Sequence, residues 1–250
     1  MGGDTASARS IEPRAWQAVL EHVEGRLLDG ELAPGDRLPG ERQLAADLGV
    51  GRSSVREALR VLEVLGLIRT HTGSGPTAGA IIIATPGGGM SALMRLQVAA
   101  SGFPVADIVA TRLLLETHVA ADLAAAPDPD LAPAARLLDA MDAPGLDPAE
   151  FLALDATFHL ALAEASGNQV VTATMAGLRS GIEGYALAGQ ARIADWTTTA
   201  ARLRAEHRGV LDAIRAGDAD AARTRLHDHI SGYYAEISPD AGAPEAPAHP

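Results

Sequence analysis

The sequence predicts a mainly α-helical protein, in which a small unit of three helices and a β-hairpin precedes an all-α helical bundle. Apolar residues make up 47% of the 250 positions but aromatic residues only 3%, so the core consists of small aliphatic side chains, which suits closely packed helices. Apolar positions recur at helical spacing along most of the chain. Two segments, 67–71 and 76–83, flank the turn TGSG and are typical of short strands in a hairpin.

The first unit contains three predicted helices before the hairpin. A loop rich in Gly and Pro over 30–40 separates the first two, and the turn GVG separates the second from the third, which Gly66 ends. The tight turn between two short helices, followed by a hairpin, is typical of a winged helix-turn-helix. The predicted helices cover residues 13–28, 41–48 and 53–65.

The bundle is predicted to follow the segment ATPGGGM, because Pro and three Gly favour a linker. Its predicted helices cover residues 91–101, 105–126, 130–142, 148–165, 168–189, 196–216 and 218–236. The ends of the chain are polar or rich in Pro and Ala, so we expect them to be disordered. The expected organisation is therefore a disordered N-terminus (1–12), a winged helix-turn-helix (13–83), a linker (84–90), a helical domain (91–237) and a disordered tail (238–250).

Composition excludes several classes of protein. The chain has no cysteine, so it has neither disulfides nor thiolate metal sites. No apolar run approaches the roughly 20 residues that a membrane span needs. The N-terminal segment lacks the apolar region of an export signal. We therefore expect a cytoplasmic protein with no membrane partner.

Charge is distributed unevenly along the chain. The net charge is −12 and all 20 basic residues are arginine. Residues 37–71 hold six Arg and four Asp or Glu, a net of +2, whereas the last 175 residues hold 11 Arg and 21 acids, a net of −10. A locally basic segment in an acidic protein is where a polyanion would bind.

The start of the third helix holds the candidate DNA-binding side chains. Ser54 and Glu57 fit a capping box that would begin the helix there. Arg52, Ser53, Ser54 and Arg56 would then lie at the end of the helix that meets base edges, where the planar guanidinium pairs bidentately with guanine or phosphate. The alternative is a solvated helix face on which the arginines pair with nearby acids.

Other side chains near this helix could contact DNA as well. Arg42 begins the preceding helix and could reach the phosphate backbone. His71 and Gly73 lie at the tip of the hairpin and are small enough to follow a groove or a phosphate.

A second set of candidate residues lies in the bundle. Asp155 and His159 are one helical turn apart on one face, a spacing that can chelate a metal. His207 and His229 lie on the apolar faces of two further helices. One carboxylate and three imidazoles suit Zn, Ni, Mn or Fe(II), with zinc the first expectation, and do not suit Ca or Mg. The alternative is a set of hydrogen-bonded core histidines.

The N-terminal motifs resemble those of a known family. The stretch LLDGELAPGDRLPGERQLAADLGVGRSSVREALRVLEVLGLI resembles the DNA-binding domain of GntR-type bacterial transcription regulators, over about 14–83. The resemblance implies that Arg42, Arg52 and Arg56 contact operator DNA, and that glycines near 73–75 approach it. Gly40 departs from the family's usual serine helix cap, and the segment GPTAGAIII lacks the usual aromatic residue.

The C-terminal motifs extend this resemblance. RLLLE, the D-x-x-x-H motif followed by ASGN, and the motifs around His207 and His229 are similar to those of the effector domain of the FadR branch of the family, over about 91–234. The resemblance implies that Asp155, His159, His207 and His229 hold a metal. For Arg112 two interpretations stay open: a salt bridge with Glu116, or the binding of an effector's carboxylate.

These patterns together predict a ligand-responsive transcription regulator and not an enzyme. We expect a repressor that binds a palindromic operator in double-stranded DNA as a homodimer. A small organic acid bound beside the metal would change the pose of the DNA-binding units. The alternatives are a metal sensor without an organic effector, and a metalloenzyme in which the metal activates water.

Overall fold

A computed structural model describes residues 15–71, 79–83, 86–100 and 102–237. Within them there are ten α-helices and one two-stranded antiparallel sheet, so the predicted fold class is confirmed. The chain divides into two units, residues 1–89 and 90–250. The predictions for 1–12, for Gly73 and for 238–250 concern residues outside the described ranges.

The first unit places three helices before a hairpin. Strands β1 and β2 pair antiparallel in a register that sets Ile68 opposite Ile82 and His71 opposite Gly79. Val55 and Leu62 of α3 are buried against apolar residues of the other two helices and of the sheet. The elements are α1 (Ala15–Leu28), α2 (Glu41–Asp47), α3 (Arg52–Val64), β1 (Ile68–His71) and β2 (Gly79–Ile82).

The capping box predicted at the start of α3 is wrong. Gly51 is the N-cap, in an extended conformation, and no side chain caps the helix. The carbonyl of Gly51 accepts a hydrogen bond from the backbone N–H of Val55, so Ser54 already lies inside the first turn. The turn before it needs Gly49 at a φ of +64°, and this compact turn lets the helix begin at Arg52.

The second unit holds most of α4 and the six helices described after it. Its core is a continuous cluster of mostly aliphatic side chains, in which Phe151 and Phe158 are among the largest that are fully buried. Helix α5 packs against α7, α9 and α10, so these four helices enclose one interior region. The elements are α4 (Pro86–Ala99), α5 (Val105–Ala125), α6 (Ala132–Met141), α7 (Pro148–Ala165), α8 (Gln169–Gln190), α9 (Trp196–Arg215) and α10 (Ala219–Ile237).

Residues 86–90 of the predicted linker are helical, because α4 begins at Pro86. The boundary between the two units, after Gly89, nevertheless lies within the predicted segment. Proline suits the first helical position, where its missing N–H would have no partner in the helix. Each helical glycine costs about 1 kcal/mol relative to alanine. Packing of the rest of α4 offsets this cost, and the buried Ser91 hydroxyl donates a hydrogen bond to the Ala173 carbonyl at 2.9 Å.

Glycines on α8 allow α4 to pack closely. A Cβ placed on Gly177 would lie 2.5 Å from Cβ of Met94, and one on Gly181 would overlap Cγ1 of Val98. Side chains at these two positions would therefore force α4 away from α8.

The start of α7 is fixed by a capping box. The Asp147 carboxylate accepts a hydrogen bond from the Glu150 backbone N–H at 2.8 Å, and the Glu150 carboxylate accepts one from the Asp147 N–H at 3.1 Å. Pro148 occupies the first helical position. The local sequence DPAE thus sets where α7 begins. It thereby also sets the position of every later side chain along the helix axis.

We predict that Asp147→Ala lowers the free energy of unfolding of the helical unit by about 1 kcal/mol, because the cap and its reciprocal bond are lost. Urea unfolding followed by circular dichroism measures the change. Asp147→Ser is the control, since serine also caps helices and should keep most of the stability. Equal losses in the two variants would contradict the capping role.

Candidate functional site

The start of α3 presents its polar side chains to solvent. Arg52 and Arg56 have side chains 63% and 58% exposed, and Ser53 and Arg42 are exposed as well. The interior side of the same helix is apolar, with Val55 at its centre. The helix therefore offers two guanidinium groups and a hydroxyl at one end.

An acidic side chain lies beside these arginines. One carboxylate oxygen of Glu41, in the first turn of α2, is 3.8 Å from Arg52 and 4.0 Å from Arg56. Exposed ion pairs at such distances contribute little to stability, so they leave the guanidinium groups available to a stronger anion. The exposed His71 ends β1, while Ser54 is only partly exposed.

The bundle brings together the four metal-ligand candidates. Asp155 and His159 come from α7, His207 from α9 and His229 from α10. One ligand atom from each lies within 4.8 Å of all the others. The three histidines are at most 4% exposed.

The Nε2 atoms of the histidines converge on one point. Nε2 of His229 lies 3.2 Å from Nε2 of His159 and 3.0 Å from Nε2 of His207. A carboxylate oxygen of Asp155 lies 3.1 Å from Nε2 of His207, and its other oxygen lies 3.8 Å from Nε2 of His159. The four side chains therefore aim their polar atoms at a shared volume.

Two glutamates orient the other ring nitrogens. Nδ1 of His159 lies 2.5 Å from a carboxylate oxygen of Glu116 on α5, and Nδ1 of His229 lies 2.8 Å from a carboxylate oxygen of Glu206 on α9. A carboxylate faces a ring nitrogen at these distances only when that nitrogen carries the proton. In the neutral rings, Nε2 of both histidines therefore carries a lone pair.

These protonation states make the cluster fit a cation. Two lone pairs 3.2 Å apart, on His159 and His229, cannot hydrogen-bond to each other. With metal–nitrogen distances of about 2.0–2.1 Å, tetrahedral ligands would lie about 3.3 Å apart, close to the spacing present. The donor set of one carboxylate and three imidazoles suits zinc and related transition metals.

Burial and charge keep His207 neutral and Asp155 ionised. Nε2 of His207 carries the proton that it donates to Asp155, and this proton would leave when a metal binds. Burial and the neighbouring His229 together lower the pKa of His207 to about 4, so the ring is neutral at pH 7. Burial acts to raise the pKa of Asp155, but the hydrogen bond with His207 and the nearby imidazoles outweigh it and hold the pKa well below its usual range. Among the described side chains, Nδ1 of His207 is buried without a hydrogen-bond partner. Nδ1 of His159 and the facing oxygen of Glu116 are in close contact at 2.5 Å but do not have the geometry of a hydrogen bond.

Arg112 borders the cluster and is 4% exposed. Its Nε donates a hydrogen bond to Glu116 at 2.6 Å, and one of its terminal nitrogens donates to the Tyr234 hydroxyl at 3.2 Å. Burial alone would raise the pKa of Glu116, but the charge of Arg112 and the neighbouring imidazole of His159 lower it to about 2. The salt bridge considered from the sequence is therefore formed, and it is buried.

A narrow cavity joins Arg112 to the histidine cluster. Its walls include Arg112, Asp155 and His229 as well as the two tyrosines Tyr233 and Tyr234. The unfilled space is about that of one water molecule. An organic acid could therefore enter only if some of these side chains moved.

Several residues of this region do not follow from the sequence. The contacts of Glu116 with His159 and of Glu206 with His229 link different helices, so no spacing within one helix predicts them. The position of Glu206 next to His207 in the chain is a weak indication that it lies near the cluster. His118 and His227, for which the sequence indicates no role, are exposed.

Within the described residues, no helix combines the length and the apolar character needed to cross a membrane.

Two family models match the chain. The model described as bacterial regulatory proteins, gntR family, matches residues 16–77, and the model described as FCD domain matches residues 107–232. The first range holds α1 to α3 with β1, and the second holds all four candidate ligands.

Relatives match along most of the chain. The HTH-type transcriptional regulator LutR of Bacillus subtilis is 32% identical over 83% of this chain and 97% of its own length. The HTH-type transcriptional repressor NanR of Klebsiella aerogenes is 30% identical over 86% of this chain and 82% of its own. The solved structure of Streptococcus agalactiae GntR is 27% identical, with a TM-score of 0.58 over 87% of this chain and 97% of that one.

The two models together cover most of the chain, and relatives at least 30% identical match more than two thirds of it. The chain belongs to the GntR family of bacterial transcription regulators and carries a C-terminal FCD domain.

Proposed function

We propose that this protein is an operator-binding repressor whose affinity for DNA responds to a small organic acid bound beside a divalent metal in the FCD domain. Family membership supports the DNA-binding role and weighs against the metalloenzyme alternative. The observation that carries the rest of the proposal is the convergence of three imidazole nitrogens and one carboxylate in the interior of the bundle.

The DNA-binding role is assigned to the start of α3. Arg52, Ser53 and Arg56 would contact base edges and phosphates there, with Ser54 behind them in the same turn. Arg42 would bind the backbone, and the exposed His71 would contact DNA from the hairpin together with Gly73. When DNA binds, a phosphate would replace Glu41 as the partner of the two arginines, and the Glu41 carboxylate would be hydrated instead.

The metal site is assigned to Asp155, His159, His207 and His229. A divalent ion, with zinc the first candidate and Ni, Mn or Fe as others, would supply an electropositive anchor for an oxygen of the effector. Glu116 and Glu206 hold two of the rings in the tautomer that binds metal. Arg112, which lines the same cavity, would bind the effector's carboxylate bidentately.

The response requires two states of the protein. A homodimer would place one α3 in each half of a palindromic site. An effector shifts such an equilibrium only by binding the two poses with different affinity. Entry of an organic acid into the nearly filled cavity needs movement of its walls, and α5 and α10 form two of these walls.

A metal sensor without an organic effector is the second candidate. The observation in its favour is the size of the cavity, which has room for about one water molecule. Titrating zinc alone and small carboxylates alone against operator affinity distinguishes the two: a sensor responds to the metal only.

We predict that Arg52→Ala or Arg56→Ala weakens operator binding by about 1–3 kcal/mol, because each removes a guanidinium that contacts DNA. Fluorescence anisotropy with duplexes from the region upstream of the protein's own gene measures the affinity. Arg215→Ala is the matched control, since Arg215 is a half-exposed arginine paired with Asp212 in the other unit. A loss in the control as large as in the α3 variants would contradict the assignment.

We predict that His207→Ala abolishes stoichiometric metal binding, because three ligands with one open position hold a metal less tightly than four. Elemental analysis of the purified protein gives the metal content. His227→Ala is the control, since this exposed histidine lies two residues from His229 and outside the cluster. Unchanged metal content in His207→Ala would refute the ligand set.

We predict that a chelator destabilises the wild-type protein, because the metal binds only the folded bundle. Free metal at 100 times its dissociation constant would add about 2.7 kcal/mol to the free energy of unfolding. Thermal unfolding with and without the chelator measures the shift. His207→Ala should show no shift, and an equal shift in that variant would indicate a metal bound elsewhere.

A further inference from the structure

Arg112 already has a carboxylate partner before any effector binds. Its Nε donates to one oxygen of Glu116 at 2.6 Å, and both side chains are about 5% exposed or less. The cavity beside the guanidinium has room for about one water molecule. A carboxylate that arrives from outside therefore competes with Glu116 for the positive charge of one guanidinium group.

The second oxygen of Glu116 faces the histidine cluster. It lies 2.5 Å from Nδ1 of His159, whose Nε2 belongs to the converging set. One carboxylate thus serves two partners, a cation on its own helix and an imidazole on α7. A change in its contact with the first partner changes the charge that it offers to the second.

We propose that Glu116 is an internal substitute for the effector's carboxylate: it occupies Arg112 in the ligand-free protein and is displaced when an external carboxylate binds. The inference rests on the proposed function, in which Arg112 receives the effector. Once released from Arg112, Glu116 keeps His159 as its neighbour and can turn to accept a well-aligned hydrogen bond from Nδ1. Carboxylate binding would thereby make His159 a better metal ligand and couple the two sites.

Glu206 provides a matched comparison on the other side of the cluster. It accepts a hydrogen bond from Nδ1 of His229 at 2.8 Å, as Glu116 faces His159. Its second oxygen binds Arg202 at 2.7 Å, and that arginine also binds Glu236. Like Glu116, Glu206 therefore faces Nδ1 of a ligand histidine, but unlike Glu116 it does not pair with Arg112.

The test uses the full-length protein and two isosteric variants, Glu116→Gln and Glu206→Gln. Acetate affinity is measured on metal-free protein from the thermal shift at matched chloride concentration, and zinc affinity is measured by calorimetry. Zinc affinity should fall about 10–100-fold in both variants, because each loses the carboxylate that orients a ligand.

Acetate affinity should differ between Glu116→Gln and Glu206→Gln. In Glu116→Gln it should rise at least about tenfold, because removing a negative charge next to Arg112 favours an external anion. In Glu206→Gln it should stay within about twofold of the wild type, because Glu206 pairs with Arg202 and not with Arg112. If Glu116 had only a structural role, its loss would lower the affinities for both acetate and zinc. A rise in acetate affinity together with a fall in zinc affinity therefore indicates that Glu116 and acetate compete for Arg112.

Acetate binding to Glu116→Gln that is no tighter than to the wild type would overturn the inference while leaving the metal site intact. A wild-type protein that binds no zinc would instead overturn the proposed function, and the coupling with it. If Glu116→Gln does not fold, Glu116→Asp takes its place. The shorter side chain cannot span Arg112 and His159, so acetate affinity should rise and zinc affinity should fall, and equal acetate affinity in this variant and the wild type would again overturn the inference.

Discussion

The pairing of two buried imidazoles with carboxylates is the interaction on which the interior of the bundle depends. Glu206 pairs with the outer nitrogen of His229, and Glu116 lies 2.5 Å from the outer nitrogen of His159. In the neutral rings the two inner nitrogens would then carry lone pairs 3.2 Å apart. Polar atoms cost free energy when they are buried without partners, and this arrangement is unfavourable until a cation joins them. The same cluster joins α5, α7, α9 and α10, so the packing of the bundle and the metal site require the same helix positions.

Much of this protein could be predicted from its sequence, because local signals are strong where helices are amphipathic. Gly and Pro separate most of the helices, and the bounds of α5 to α10 lie within two residues of those expected. The candidate metal ligands could also be chosen from the sequence. The spacing of Asp155 and His159 places them on one face of a helix, and apolar neighbours indicate that His207 and His229 point into the bundle.

What the sequence did not predict depends on contacts between elements. Ser54 fits the pattern of a capping residue, yet the turn at Gly49 lets α3 begin earlier. Pro86 and the glycines after it are typical of a linker, but the packing of α4 on α8 stabilises a helix there. The partners of Glu116 on two helices depend on the distance between α5 and α7, which no periodicity within one helix encodes.

The close approach of α4 and α8 restricts how this chain can evolve. At Gly177 and Gly181 even one added methyl group would overlap a side chain of the facing helix. Random substitution at these two sites is therefore selected against although neither residue touches DNA or the histidine cluster. Variation among descendants of this gene should then be lowest at two residues that carry no functional group at all.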